Sequence, residues 1–201
     1  MRTANVLLLA TALVGVGLIA LTVLPNVLGH SDAKKQYKID GDYVVVSADF
    51  PRNHLAVPNR TGKAPIFKEG VDAQGFLGIP QDVHQVGVYT GAGALDGRIG
   101  DVVISGHVNW VGQGPGYLGD LNKLKAGDVV ITRGDGLPKA WRVTKVSMYL
   151  KSLGLPQQIF RAKGPRQLTL VTCGGVLDTS AGSYLSNVVV TARPVRTVVK
   201  S

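Results

Sequence analysis

The chain contains one cysteine, and its surroundings are those of a nucleophile. Cys173 closes the run Gln167-Leu168-Thr169-Leu170-Val171-Thr172 and is followed by Gly174 and Gly175. The run is apolar and β-branched, so it reads as a strand. Two glycines beyond the sulfur leave it uncovered and let another backbone approach closely. A single cysteine is more often a small buried apolar residue than a reactive one. To attack a carbonyl it must lose its proton, which requires a base at its side.

Near neutral pH that base is histidine. There are four: His30, His54, His84 and His107. His30 abuts the apolar N-terminus, His54 lies in the polar stretch PRNHLAVPN, and His84 borders DVHQVGVY. His107 alone follows an apolar run that ends in a small pair, Asp101-Val102-Val103-Ile104-Ser105-Gly106. Cys173 and His107 therefore both finish strands, where a β-barrel presents its functional groups. Acyl transfer also needs donors for the developing oxyanion. Thr172 and the backbone around Gly174 are the candidates for oxyanion or substrate binding. Arg193 and Arg196, downstream, read as solvated strand-end charges. No metal site is expected: the single cysteine, the lack of HxH or HxxxH pairs and the absence of an EF-hand acidic pattern all argue against one. Gly91-Ala92-Gly93-Ala94 lacks the GK[ST] of a phosphate loop, so no cofactor is expected.

Short β-prone runs separated by Gly and Pro must position these groups. They cover 43–46, 84–89, 101–104, 128–132, 140–146, 167–171 and 187–192. Helical signal is confined to a turn or two at 116–124 and 155–160. Runs of this length and spacing predict an all-β sandwich or barrel. No internal repeat is present.

With 201 residues, 45% hydrophobic and 17% charged, the chain is long enough for one domain plus an appendage and cannot be wholly disordered. Lysine and arginine total 22 against 13 acidic residues, a formal charge of +9. Such an excess suits an anionic surface. No RNP, helix-turn-helix, zinc-finger or basic-zipper pattern accompanies it, so a nucleic-acid partner is not expected. The appendage is N-terminal. Residues 6–24 carry no charge, and the uncharged stretch runs on to Gly29. About twenty apolar residues suffice to cross a bilayer as a helix. The expected organisation is a cytoplasmic terminus at 1–5, a transmembrane anchor at 6–28, an extracytoplasmic stalk at 29–50 and a catalytic domain at 51–201. A cleaved signal peptide is the competing reading, but the run is long and no small-x-small site follows it. Lys34, Lys35 and Lys38 would by themselves favour a cytoplasmic C-terminus. Long domains cross largely regardless of such charges.

Taken together these residues resemble the sortases, membrane-anchored cysteine transpeptidases of Gram-positive bacteria. Thr169-Leu170-Val171-Thr172-Cys173 matches the TLxTC signature, and Val103-Ile104-Ser105-Gly106-His107 matches the strand ending in the catalytic histidine. Order and separation, about 66 residues, fit as well. The segment from Gly119 to Asp128 is similar to the family's L-x-x-L-x-x-G-D stretch. Cys-Gly-Gly and Asn-Val-Val-Val-Thr-Ala-Arg-Pro are most similar to the actinobacterial class F group.

The resemblance implies a closed barrel of about eight strands with short helices. It implies that Cys173 attacks an LPxTG-like sorting signal at the C-terminus of a secreted protein, giving a thioester. His107 would be acid for the leaving amine and base for the incoming one, supplied by a peptidoglycan precursor or a pilin. It implies a cell-membrane protein with an outward catalytic domain. The family places an arginine on the strand after the cysteine, but Leu185 and Ser186 stand there. Arg193, about 26 Å farther along a strand, is out of reach. A displaced Arg133, Arg142 or Arg161 could replace it. Two rival readings follow: a weak or inactive sortase-like binding module, or an L,D-transpeptidase. The second needs His and Cys adjacent in a SHGCxR-like cluster, which this chain lacks.

Overall fold

The computed structural model describes residues 37–201. The expected cytoplasmic terminus, the span at 6–28 and the start of the stalk lie outside the described residues. Within the described residues no helix is long and apolar enough to cross a membrane.

Twelve strands follow in order: β1 (Tyr37–Asp40), β2 (Tyr43–Ser47), β3 (His54–Ala56), β4 (Ala64–Glu69), β5 (Val86–Tyr89), β6 (Asp101–Ser105), β7 (Asn109–Trp110), β8 (Gly114–Pro115), β9 (Val129–Arg133), β10 (Lys139–Leu150), β11 (Gln167–Asp178) and β12 (Ser183–Lys200). Eight of them close a ring, β12-β10-β9-β3-β4-β5-β6-β11, sealed by pairing of β11 with β12. The barrel of about eight strands expected from the sequence is therefore present. Its helices reduce to single 3-10 turns, two of them at Leu121–Lys123 and Gln157–Ile159, inside the expected helical stretches.

Alternation along each strand decides which side chains fill the barrel. Leu168 and Leu170 of β11, Val102 and Ile104 of β6, and Trp141 and Val143 of β10 enter one interior cluster. Trp141 is fully buried, and its indole N–H donates to Thr132 Oγ1 at 2.8 Å. That bond satisfies the one polar atom of the largest core side chain. A second cluster under β2 joins Val44, Val46 and Phe50 to Val129 and Ile131. From Tyr37 onward, the segment expected to be stalk thus belongs to the sheet, with β2 running parallel to the last residues of β12.

Most ladders in the ring are antiparallel, but β6 pairs with β11 in parallel, from Gln167↔Asp101 to Val171↔Ser105. Two neighbouring strands consequently end at the same rim. Their starting end is fastened by Asp101, fully buried, whose carboxylate accepts from Arg161 Nε at 3.0 Å and Nη2 at 3.1 Å. Such a two-pronged pair fixes geometry as well as charge.

Strands β3 and β4 carry no sequence signal of their own. The first is three residues long in a polar stretch, and the second holds Pro65, Lys68 and Glu69.

Leu170 is fully buried, whereas Leu153 is 81% exposed. Leu170→Ala is expected to cost about 2–5 kcal/mol in urea denaturation, and Leu153→Ala less than about 0.5 kcal/mol.

Candidate active site

Val171↔Ser105 is the last pair of the parallel β6–β11 ladder, and two residues further on each chain stand Cys173 and His107, so both leave the same rim from adjacent strands. Two hydrogen bonds hold the continuation flush. The Gly106 N–H donates to the Val171 carbonyl at 3.1 Å, and Thr172 Oγ1 donates to the Gly106 carbonyl at 2.8 Å.

Cys173 and His107 face outward. Leu168 and Leu170 point into the core and Thr172 is 3% exposed, so Val171 and Cys173 occupy the opposite face. On the other strand, a Cβ added to Gly106 would meet Leu118 and Val86 of the core at 2.9–3.1 Å. Gly106 therefore turns inward and His107 outward, and the cysteine is partly exposed. On the far side of β11, Cys173 is paired with Asn187 of β12.

The imidazole of His107 lies edge-on to Trp110, with ring centroids 4.7 Å apart and planes at 67°. The β7–β8 ribbon folds back over it: the Gly116 N–H donates to the Val108 carbonyl at 2.9 Å, and any side chain at Gly116 would collide with the His107 carbonyl. Asn109 Nδ2 donates to Tyr184 Oη at 3.0 Å, joining the segment after His107 to the hairpin after Cys173. Burial disfavours the charged ring and pulls the His107 pKa below its ordinary value, while a hydrogen bond to the Pro80 backbone opposes this. At neutral pH the ring is mainly neutral, the form that accepts a thiol proton.

Below the cysteine on the outer face, Val103, Val171, Val189 and Ile159 form a third apolar cluster. Leu77, Tyr89, Ala92, Tyr149, Leu155 and Phe160 cover it partly. These four side chains are themselves buried, so the covering residues already close this outer face of β6, β11 and β12.

The remaining expected site residues fall elsewhere. Thr172, expected among the oxyanion or substrate donors, spends its hydroxyl on Gly106 in the interior, so it braces the two strands instead. Gly174 sits opposite Ser186 at the last regular pair before a bulge. The three displaced arginines do not complete the site. Arg161 binds Asp101 at the start of β6, six residues and about 20 Å from His107. Arg133 donates to the carbonyls of Gly136, Ala48 and Phe50. Arg142 lies opposite Arg193, six residues along β12 from Asn187 and again about 20 Å away. His54 contacts the Arg52 carbonyl, and His84 is exposed. Asn109, Trp110, Tyr184 and Asn187 were not selected from the sequence. Their proximity comes from cross-strand register, which leaves no local signature. Among the described residues, no cluster of His, Cys, Asp or Glu could hold a metal ion.

A family model described as the sortase domain matches residues 55–195. Curated proteins provide no match. Among solved structures, sortase C1 from Streptococcus suis superposes with a TM-score of 0.56, at 16% identity, covering 73% of this chain and 74% of that one. For the Group B Streptococcus pilus island 1 sortase C2 the values are 0.54, 18%, 70% and 72%. Sortase C from Clostridium perfringens SM101 gives 0.51, 20%, 70% and 67%. At these identities the likeness is one of fold.

Thr172→Val removes the donor from a buried carbonyl and is expected to cost about 1–3 kcal/mol in chemical denaturation. A depressed histidine pKa means the unfolded chain binds protons more readily, so stability rises with pH through that range. Lowering the pH from about 7.5 to about 5 should therefore destabilise the native protein more than His107→Gln, read from urea midpoints.

Proposed function

Because the chain belongs to the sortase family, we propose that it is a cysteine transpeptidase that cuts an LPxTG-like sorting signal and passes the acyl group to a cell-wall or pilin amine. The observation that carries this reading is the parallel β6–β11 ladder, whose two strands run on at one rim towards His107 and Cys173.

In the first half-reaction the neutral His107 ring takes the Cys173 proton as Sγ attacks the Thr–Gly carbonyl carbon. The carbonyl π pair moves onto oxygen, giving a tetrahedral oxyanion. Its collapse breaks the C–N bond, and the imidazolium returns the proton to the departing amine. A thioester remains. In the second half an acceptor amine attacks the thioester carbon, His107 takes the amine's proton, and the sulfur leaves and regains it. No net oxidation occurs and no cofactor is needed. Cys-Gly-Gly and the Asn-Val-Val-Val-Thr-Ala-Arg-Pro run support assignment to the class F group. The apolar segment 6–28 supports attachment to the cell membrane with the barrel outside, where a charge of +9 draws it to an anionic envelope.

One observation favours a second reading. Leu185 and Ser186 put no cation on β12 at the level of the cysteine, as expected for a sortase-like module that binds signals with little turnover.

Mass spectrometry of the protein incubated with an LPxTG peptide distinguishes the two. The transpeptidase forms an acyl adduct at Cys173, and Cys173→Ala forms none. His107→Ala is expected to lower turnover about 10²–10⁴-fold. An adduct that survives in Cys173→Ala would overturn the mechanism. Peptide binding without any adduct in the native chain would favour the module.

A further inference from the structure

The oxyanion of the tetrahedral intermediate lacks an assigned side-chain donor, and the cross-strand register supplies one. Asn187 is the direct antiparallel partner of Cys173, so the two share the outward face of β11 and β12. Cys173 thus stands between Asn187 on one side and, on the other, the rim at which β6 runs on towards His107. On the remaining side of Asn187, β10 places Tyr149, a partly buried member of the outer apolar cluster. Asn187 itself is half-buried, and no group among the described residues hydrogen-bonds its amide. No lysine or arginine stands at this level of β10, β11 or β12.

We propose that Asn187 is a catalytic residue whose side-chain amide donates a hydrogen bond to the oxyanion formed on Cys173. Directly opposed residues of an antiparallel pair have Cβ atoms about 5 Å apart. The amide nitrogen ends two bonds beyond one Cβ, and the oxyanion lies three bonds beyond the other. Both can turn along the same face, which brings donor and acceptor to the usual separation of about 3 Å. The carbonyl oxygen gains its charge only as the C–S bond forms, so the donor acts chiefly on the transition state. Being neutral, the amide offers no full charge to hold a resting thiolate. Its removal should therefore change turnover and leave the free thiol unaltered. His107 keeps the proton transfer.

This inference rests on the transpeptidase reading, and the test keeps the two apart. Wild type, Asn187→Ala and Asn187→Leu are assayed with a fluorogenic LPxTG peptide, and Cys173 is alkylated with iodoacetamide in parallel. Alkylation is a displacement at saturated carbon and builds no oxyanion. Both variants are expected to lose about 10²–10³-fold in kcat, with KM and alkylation rate within about twofold of wild type. Asn187→Leu keeps the size and removes the donor without adding charge, so it carries the test should Asn187→Ala unfold. Unchanged kcat in the folded variants overturns the proposal. A fall in alkylation matching the fall in kcat also overturns it, because Asn187 would then act on the thiol. Absence of any thioester in wild type overturns the transpeptidase reading and the inference together.

Discussion

The parallel ladder between β6 and β11 is the constraint on which the site depends. Antiparallel neighbours would send their C-terminal ends to opposite rims. Parallel pairing sends both to one rim and converts a long sequence separation into a single strand spacing. Gly106 is required for this geometry. Its missing side chain lets the chain turn against Leu118 and Val86, so the next residue emerges outward. Thr172 then ties the Gly106 carbonyl to β11 from the inside. A conserved-looking signature residue thus has a bracing role, and its hydroxyl is unavailable to substrate.

The two ends of this ladder are built differently. At the start, a buried carboxylate faces a partly exposed guanidinium, and loss of Arg161 would leave an uncompensated charge in the interior. At the rim, the candidate site contains a thiol, a half-buried imidazole and an amide, none permanently charged. The ion pair thus sits at the end of the ladder away from the candidate site. The β7–β8 ribbon and the Asn109–Tyr184 bond close over this end without covering the sulfur.

Outside the barrel, the apolar cluster of Val103, Val171 and Val189 is continuous with the strands that bear the reactive groups. β6 is accordingly buried on both faces. This explains why its sequence is an unbroken apolar run with no in-out alternation. The same strand lines the core, floors the outer cluster and delivers the histidine.

Much of this was legible in the residues themselves. Strands β2, β5, β6, β9, β10, β11 and β12 were marked by β-branched runs, and Cys173 and His107 by their places at the ends of two of them. Strands β3 and β4 were silent, because three residues, or six with a proline and two charges, are too short or too polar for a pattern to emerge. The sequence by itself determined these seven strand runs and marked Cys173 and His107 as candidates, since each is written in local composition. Which strand lies beside which, and therefore that Asn187 flanks the sulfur while Arg161, Arg142 and Arg193 lie far from it, was decided only by the closed barrel. Hydrogen-bond register is a relation between distant segments, and no local run of side chains encodes it.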